Sequence, residues 1–115
     1  MCLLLLTNKH IAVGVMGDHS VSIFDSVKKV VHGVLSKKHT GNVTVLMQKG
    51  KFLISGSLDR TMNIYLVDDI RYRFVKTLVT DHFIDAIIEG PGDCVIEGGS
   101  HKGRIKVWDV ITYFE

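Results

Sequence analysis

One short pattern occurs three times along this chain, and it limits the possible folds more than any other feature. Each copy is a mostly apolar run that ends on a glycine, and the runs occupy residues 10–14, 52–56 and 94–98. The glycines that end them are 42 residues apart, and an aromatic residue follows each glycine nine or ten positions later: Phe24, Tyr65 and Trp108. The chain is therefore built from about three consecutive copies of one structural unit.

Short apolar segments separated by turn residues predict strands over 2–6, 10–15, 20–25, 30–35, 43–47, 52–57, 61–67, 72–78, 85–88, 94–98 and 104–110. Segment 30–35 also fits a helical period, but its valines and Gly33 favour a strand. Hairpins repeated with a period in the low forties are typical of β-propeller blades. We predict an all-β partial propeller of about three antiparallel four-stranded blades, approximately 1–35, 36–79 and 80–115, with the last incomplete.

Composition narrows the class of function. The chain has 14 basic and 12 acidic residues without a basic stripe, a balance that disfavours nucleic-acid binding. Two cysteines, Cys2 and Cys94, lie far apart without a CxxC motif, and this predicts a reduced intracellular protein, cytoplasmic or nuclear. Because no apolar run approaches the length of a membrane span, we expect no membrane partner.

The central copy resembles a unit of the WD-repeat family almost position by position. Residues 38–46 and 53–65 contain the spaced His, Ser-Gly-Ser-x-Asp, Thr and aromatic that this family shows as GH, SGSxDxT and WD. A weaker copy spans 81–109, and a copy without its first part spans 3–25. Lys38 and Asp81 replace the usual glycine before the histidine, and Tyr65-Leu66 replaces Trp-Asp.

The resemblance implies a buried polar tetrad that locks each blade, and its members map onto His39, Ser55, Asp59 and Tyr65. A buried imidazole needs partners on both ring nitrogens, which the carboxylate and the hydroxyl can supply. In the last copy the weaker repeat positions are His82, Trp108 and Asp109. Glu97 stands there where the family has serine, so only the central blade can form the tetrad as the family writes it.

The tetrad also contains Ser, His and Asp, which raises the alternative of a hydrolase. A nucleophilic serine sits on a sharp turn or in a cleft, whereas Ser55 lies within a strand-forming run, so we expect no catalytic residue. The histidines lack the spacing of metal ligands, and we expect neither metal nor cofactor. Two of the six, His39 and His82, belong to repeat positions. We assign the others to loops or strand surfaces: His10, His19, His32 and His101.

The resemblance implies a non-enzymatic scaffold of the WD-repeat type that presents loops to protein or peptide partners. In this family, contacts gather between the histidine and the first strand and just before the turn aspartate. Carried over to this chain, the partner-binding positions are Thr40, Asn42 and Leu58 in the central blade and, as weaker analogues, Phe83, Asp85 and His101.

Three blades do not close a propeller, which usually has four to eight. If each open face exposes about 400 Å², leaving it in water costs on the order of 10 kcal/mol. We therefore expect the chain to be a fragment of a longer propeller, or to assemble with other blades. Two alternatives remain open: a structural arc that completes another protein's or a second copy's propeller, and, less favoured, a nucleic-acid platform that would use Lys37, Lys38, Arg60, Lys102 and Arg104.

Overall fold

The structure, a computed structural model, describes residues 2–15, 17–36, 39–92, 94–99 and 105–109, with Asp109 described by its backbone alone. Every regular element in these ranges is a β-strand. The strands are β1 Cys2–Leu5, β2 His10–Gly14, β3 Val21–Asp25, β4 Val30–Val34, β5 Val43–Lys49, β6 Phe52–Ser57, β7 Thr61–Asp68, β8 Arg71–Val79, β9 Ala86–Glu89, β10 Cys94–Gly98 and β11 Ile105–Asp109. Segment 30–35, whose pattern was ambiguous, is a strand as predicted.

The strands form three antiparallel sheets in which neighbours along the chain are neighbours in space. Blade 1 is β1–β4, blade 2 is β5–β8, and blade 3, within the described residues, is β9–β11. The first strands of the three blades lie side by side, β1 against β5 and β5 against β9. The predicted all-β fold of consecutive antiparallel blades is confirmed, with three strands of the last blade within the described residues.

Tight turns between the strands require residues with a left-handed backbone. Arg60, with φ of 70°, lies in the β6–β7 turn, where the Asp59 side chain accepts a hydrogen bond from the N–H of Thr61. Hydrogen bonds within a turn stabilise it, so that a residue other than glycine can adopt a left-handed backbone conformation there. The other positive-φ residues lie between strands in the same way: Lys9, Gly17, His19, Lys29, Gly50, Asp69 and Gly92.

The apolar core consists of two layers, one on each side of blade 2. Strand β6 supplies both, because Leu53 faces blade 1 and Ile54 faces blade 3, and neither is exposed. The first layer comprises Leu6, Ala12, Val21, Ile23, Leu35, Val43, Leu46, Leu53, Tyr65 and Val67. The second comprises Met47, Ile54, Met62, Ile64, Leu78, Ile84, Ile87, Val95 and Trp108. Strands buried on both faces explain the near-continuous apolar runs in the sequence.

The outer faces of blades 1 and 3 are apolar and exposed. In blade 2 the positions Met62 and Ile64 are buried against the next blade, whereas their equivalents in blade 3, Ile105 and Val107, are 76% and 59% exposed. We call the side chains of Ile88, Ile105 and Val107 the second end face. The first end face, on blade 1, consists of Leu3, Leu5, Val31 and Val34.

Gly56 gives a direct test of how closely blades 2 and 3 pack. A Cβ at this position would lie 2.6 Å from Ile84 Cγ2 and 2.8 Å from Val45 Cγ1. We expect Gly56→Ala to lower the free energy of unfolding by about 1–3 kcal/mol, because the added methyl group overpacks the interface. The measurement is chemical denaturation followed by circular dichroism.

The matched control is Gly33→Ala on β4, where a Cβ would meet no atom within 4 Å. Its effect is expected within about 0.5 kcal/mol, as for other surface substitutions. Equal effects of the two substitutions would contradict close packing at Gly56.

Candidate functional site

A buried histidine lies between a carboxylate and a hydroxyl in blade 2. His39 is 4% exposed; its Nδ1 is 3.0 Å from Asp59 Oδ2, and its Nε2 is 2.8 Å from Ser55 Oγ. Since an ionised carboxylate only accepts, Nδ1–H donates to Asp59, and the Ser55 hydroxyl donates to Nε2. Both ring nitrogens are therefore satisfied, as a buried imidazole requires.

Asp59 holds the turn before β7 and the segment that carries the histidine at the same time. Its Oδ1 accepts from the Thr61 N–H at 2.9 Å and from the Thr61 hydroxyl at 2.5 Å, and its Oδ2 accepts from the Thr40 N–H at 2.8 Å. Gly41 passes so close that a Cβ there would lie 2.9 Å from the Asp59 nitrogen. One carboxylate thus ties two separate loops together.

Tyr65 lies on the same face of blade 2 as Ser55 but further along the sheet. In the strand register it is opposite Leu53, whereas Asn63 is opposite Ser55. The Tyr65 ring is 1% exposed and packs edge to face on Phe74, with 5.8 Å between ring centroids. Tyr65 therefore contributes to the apolar layer against blade 1.

The network shifts the titration of both ionisable members. Burial lowers the pKa of His39 below its ordinary value, against the opposing influence of the Asp59 carboxylate. Burial acts to raise the pKa of Asp59, but the hydrogen bonds from Thr61 and Thr40, together with His39, hold it below its ordinary range. The arrangement favours a neutral imidazole beside an ionised carboxylate.

Blade 3 has a different polar set around the equivalent histidine. His82 is 4% exposed; its Nδ1 is 2.9 Å from Asp81 Oδ1, and its Nε2 is 2.7 Å from Oε2 of the fully buried Glu97. The hydrogen bond to Asp81 raises the pKa of His82; burial opposes this rise and Glu97 adds to it. Both acidic partners stabilise the cation relative to the neutral ring, so the pKa of His82 shifts in the direction opposite to that of His39.

The other two weaker repeat positions lie on β11. Trp108 is 6% exposed, is opposite Val95 in the strand register and packs in the second core layer. The Lys106 ammonium lies 4.2 Å from the centroid of the Trp108 ring. Asp109 is opposite Cys94 in the register.

The Ser55, His39 and Asp59 side chains have the connectivity of a catalytic triad. Catalysis additionally requires that the hydroxyl can reach a substrate, as a serine exposed on a turn does. Ser55 is fully buried between blades 1 and 2, and the imidazole is nearly so. In this buried setting the three side chains satisfy one another's hydrogen-bonding needs and face no substrate.

His10 was assigned to a loop or strand surface, and this prediction is wrong. It is 2% exposed at the junction of blades 1 and 2, where its Nδ1 is 2.8 Å from the Tyr72 hydroxyl. Asn8 Nδ2 donates to the same hydroxyl at 3.0 Å, and the His32 ring lies 4.6 Å from the His10 ring. Tyr72 is 62 residues away in sequence, so no local motif could reveal this contact. The side chain of His32 is exposed, as expected, and His101 lies outside the described residues.

Four of the predicted partner-binding residues lie on neighbouring turns at one edge of blades 2 and 3. Leu58 and Phe83 are 39% and 38% exposed, and Thr40 and Asp85 are also exposed. The Leu58 N–H donates to the Asn42 carbonyl at 3.1 Å, and the Ile84 N–H donates to the Ser57 carbonyl at 3.2 Å. We call Thr40, Leu58, Phe83 and Asp85 the loop surface.

Asn42 has a second set of contacts. Its Oδ1 accepts from the Gly17 N–H at 3.3 Å and lies 3.1 Å from His19 Nδ1, so this side chain links the β2–β3 turn of blade 1 to blade 2. Because of this link, a change at Asn42 alters blade packing as well as the surface. Asn42 is therefore a poor probe of partner binding.

The described ranges contain no group of three His, Cys, Asp or Glu side chains that could hold a metal ion. They also contain no helix with the length and apolarity needed to cross a bilayer.

His39 and His82 give opposite pH dependences of stability. The folded pKa of His39 is lowered, so its stabilisation is complete above the ordinary pKa of about 6.5 and decreases as pH falls towards the folded value. The folded pKa of His82 is raised, so its stabilisation is complete below about 6.5 and is lost as pH rises through the folded value. Urea unfolding between about pH 5 and 8 measures both effects.

We expect His39→Asn to reduce the loss of stability on acidification and His82→Asn to reduce the loss above about pH 6.5. Each variant is the control for the other, because both remove a buried imidazole. Identical pH profiles for the two variants would contradict the opposite shifts of the two histidine pKa values.

No family model matches the chain. A curated relative, Ribosome biogenesis protein YTM1 of Scheffersomyces stipitis, is 26% identical over 111 residues, which cover 92% of this chain and 24% of that protein. The chain thus spans about a quarter of the length of this relative.

Solved structures agree closely in fold. The RRP9 WD40 repeats superpose with a TM-score of 0.79 at 20% identity, over 97% of this chain and 34% of that one. A chain of the Mitotic Checkpoint Complex gives 0.80 at 18% identity, over 96% and 34%. The expected resemblance to the WD-repeat family is confirmed: the chain has the fold of WD40 repeats, as three consecutive blades of a propeller.

Proposed function

We propose that the chain is a non-enzymatic scaffold that binds protein or peptide partners through its loop surface, as part of a larger propeller. The observation that carries this proposal is the loop surface itself. Leu58 and Phe83 are exposed large apolar side chains on turns whose backbones are fixed by hydrogen bonds. Rigid, partly apolar side chains that are ordered before binding lose little entropy when a partner docks.

Charges beside the apolar pair fit a protein partner. The Arg60 guanidinium lies 5.4 Å from the centroid of the Phe83 ring, and Asp85 is exposed nearby. An aromatic side chain next to an arginine is the combination enriched at protein interfaces. A partner segment with an apolar side chain and mixed charge is complementary to this surface.

The burial of Ser55 and His39 supports a role without catalysis. A hydrolase would expose the hydroxyl to substrate, whereas here the polar groups hold the loops in position from beneath the surface. We assign this supporting role to His39, Ser55 and Asp59, and to Tyr65 through its packing in the apolar layer against blade 1. In blade 3 the same role falls to His82, with Trp108 and Asp109 as weaker repeat positions.

The names of the similar proteins agree with an intracellular assembly factor. One is a ribosome biogenesis protein, and another is a chain of the Mitotic Checkpoint Complex. We extend to this chain only the shared features, an intracellular location, cytoplasmic or nuclear, and protein partners. The nucleic-acid alternative gains no support, because Arg60 packs on Phe83 and the other basic residues named for it lie outside the described residues.

A second candidate function is that of an arc that completes a propeller made with other blades. The two end faces favour it, because positions that are buried between blades elsewhere are 59–76% exposed on blade 3. In this case the apolar end faces, and not the loops, are the binding surface.

The loop surface is tested by Leu58→Asp in the tagged chain. We expect partners captured from an extract of the source cells to be lost, because the charge replaces an apolar contact at a desolvated position. The matched control is Val27→Asp, a 67% exposed residue of the β3–β4 turn at the opposite edge of the sheets. Equal capture by the chain and both variants, quantified by mass spectrometry, would remove the loop surface from consideration.

The end faces are tested by light scattering of the purified chain. We expect assembly, and we expect Ile105→Glu together with Val107→Glu to reduce it strongly, since carboxylates at the second end face prevent apolar docking. Val27→Glu should leave it unchanged. A monomer that unfolds cooperatively would show that the end faces are stable in water, and it would contradict a role for them in assembly.

A further inference from the structure

A groove of about 460 Å³ runs between the outer edge of blade 1 and the β7–β8 turn of blade 2. Its floor is apolar, with Ile23 and Leu35 from blade 1 and Ile70 from blade 2. His32, Arg71 and Tyr72 supply polar groups along its walls. It lies at the circumference, away from the loop surface, and its volume falls within the usual range for ligand sites.

One wall of the groove is an unprotected strand edge. Strand β4 is hydrogen-bonded to β3 on one side and is the last strand of its sheet in the described structure. Residues 30–34 contain no Lys, Arg, Asp or Glu, and Val30 is 52% exposed. Such an edge leaves backbone groups free to pair with another strand.

The corresponding edge of blade 2 is built differently. Strand β8 is also last in its sheet, but it carries Arg71, Arg73 and Lys76. Charged side chains along an edge are the usual protection against strand pairing. Of these two outer edges, only β4 is open to an added strand.

The opposite wall is held rigid by buried polar contacts. The Tyr72 hydroxyl lies 2.8 Å from Nδ1 of the buried His10 and accepts a hydrogen bond from Asn8 Nδ2 at 3.0 Å. The Asn8 amide also donates to the Asp69 carbonyl at 2.7 Å, which fixes the β7–β8 turn. The groove therefore exists before any ligand enters.

Arg71 gives the groove a positive charge, and no Asp or Glu is among the described residues that line it. Asp68, which is opposite Arg71 in the β7–β8 register, lines a separate cavity together with Asp69. An acidic side chain of a ligand could form an ion pair with Arg71 and neutralise its charge. A second copy of the chain fits less well, because a β4 strand added beside β4 would bring no carboxylate for Arg71: residues 30–34 contain no Asp or Glu.

We propose that an extended segment of a protein partner, containing an acidic residue, binds in this groove by adding as a strand beside β4. The backbone of β4 supplies the hydrogen bonds, Ile23, Leu35 and Ile70 receive apolar side chains, and Arg71 pairs with the carboxylate. This site is independent of the loop surface and does not rest on it.

The test uses the whole chain and a fluorescein-labelled peptide of about eight residues, the length of a long strand, in which valine and threonine alternate around a central aspartate. Gly33→Glu places a carboxylate in the groove without a clash, because a Cβ at Gly33 meets no atom within 4 Å and its φ is not left-handed. The matched control is Val79→Glu, at a 69% exposed position on the other outer edge.

We expect fluorescence anisotropy to show binding that is weakened about tenfold or more by Gly33→Glu and by Arg71→Glu and left unchanged by Val79→Glu. The effect of Arg71→Glu should shrink as salt screens the charge. A peptide with central prolines, which removes backbone donors, should not bind. Leu58→Asp should leave peptide binding intact, so failure of this proposal and failure of the loop surface are distinguishable.

Three outcomes would overturn the proposal. One is absence of peptide binding to the unmodified chain, and another is equal binding by the proline peptide. The third is a dimer that Gly33→Glu dissociates, which would assign the groove to a second copy. Circular dichroism of each variant verifies that the sheets are retained.

Discussion

The structure depends on each sheet burying both of its faces. A four-stranded sheet is one layer thick, so the side chains that alternate along a strand need a cover on either side. Blade 2 shows the consequence, since adjacent residues of β6, Leu53 and Ile54, point in opposite directions and are both completely buried. Burial of one such side chain contributes about 1.5–3 kcal/mol. Among the described residues, blades 1 and 3 each have one face covered by a neighbouring blade and one exposed, and this asymmetry defines the two end faces.

Between the apolar layers, buried polar groups determine where the loops lie. In blade 2, His39 receives one carboxylate and one hydroxyl and is favoured as the neutral ring. In blade 3, a glutamate replaces the serine, and the acidic partners Asp81 and Glu97 raise the pKa of His82. The same backbone arrangement thus accommodates opposite shifts in histidine pKa, because each histidine titrates according to its own partners. In both blades, breaking a contact would leave a buried polar group without its partner.

The outer edges of the blades show a further difference that the repeat does not impose. Blade 2 has a charged outer strand, whereas the outer strand of blade 1 lacks charged residues and borders a groove. The groove exists because His10, Asn8 and Tyr72 hold the β7–β8 turn of blade 2 at a fixed distance from blade 1. The blades therefore differ in their surfaces because the repeat pattern does not fix the residues at these outer positions.

The regular part of the architecture could be predicted because it follows from local chemistry. Apolar alternation, turn residues and the 42-residue step predicted every strand to within two residues at each end, including the ambiguous segment at 30–35. The resemblance to the WD-repeat family implied that His39, Ser55 and Asp59 share a buried polar set, and the structure brings these three side chains within hydrogen-bonding distance. The position of Tyr65 opposite Leu53 and the partners of Asn42 depend on strand register and on contacts between blades, which a local motif does not specify.

By itself the sequence determined the strands, their turns and the repeat that stacks them, because these depend on residues close together along the chain. Only the tertiary structure decided which side chains meet across two blades. His10 lies 62 residues from Tyr72, and Asn42 of blade 2 lies 23 residues from His19 of blade 1. The burial and the pKa of such side chains follow from these contacts, because both depend on which groups the neighbouring blade places beside them.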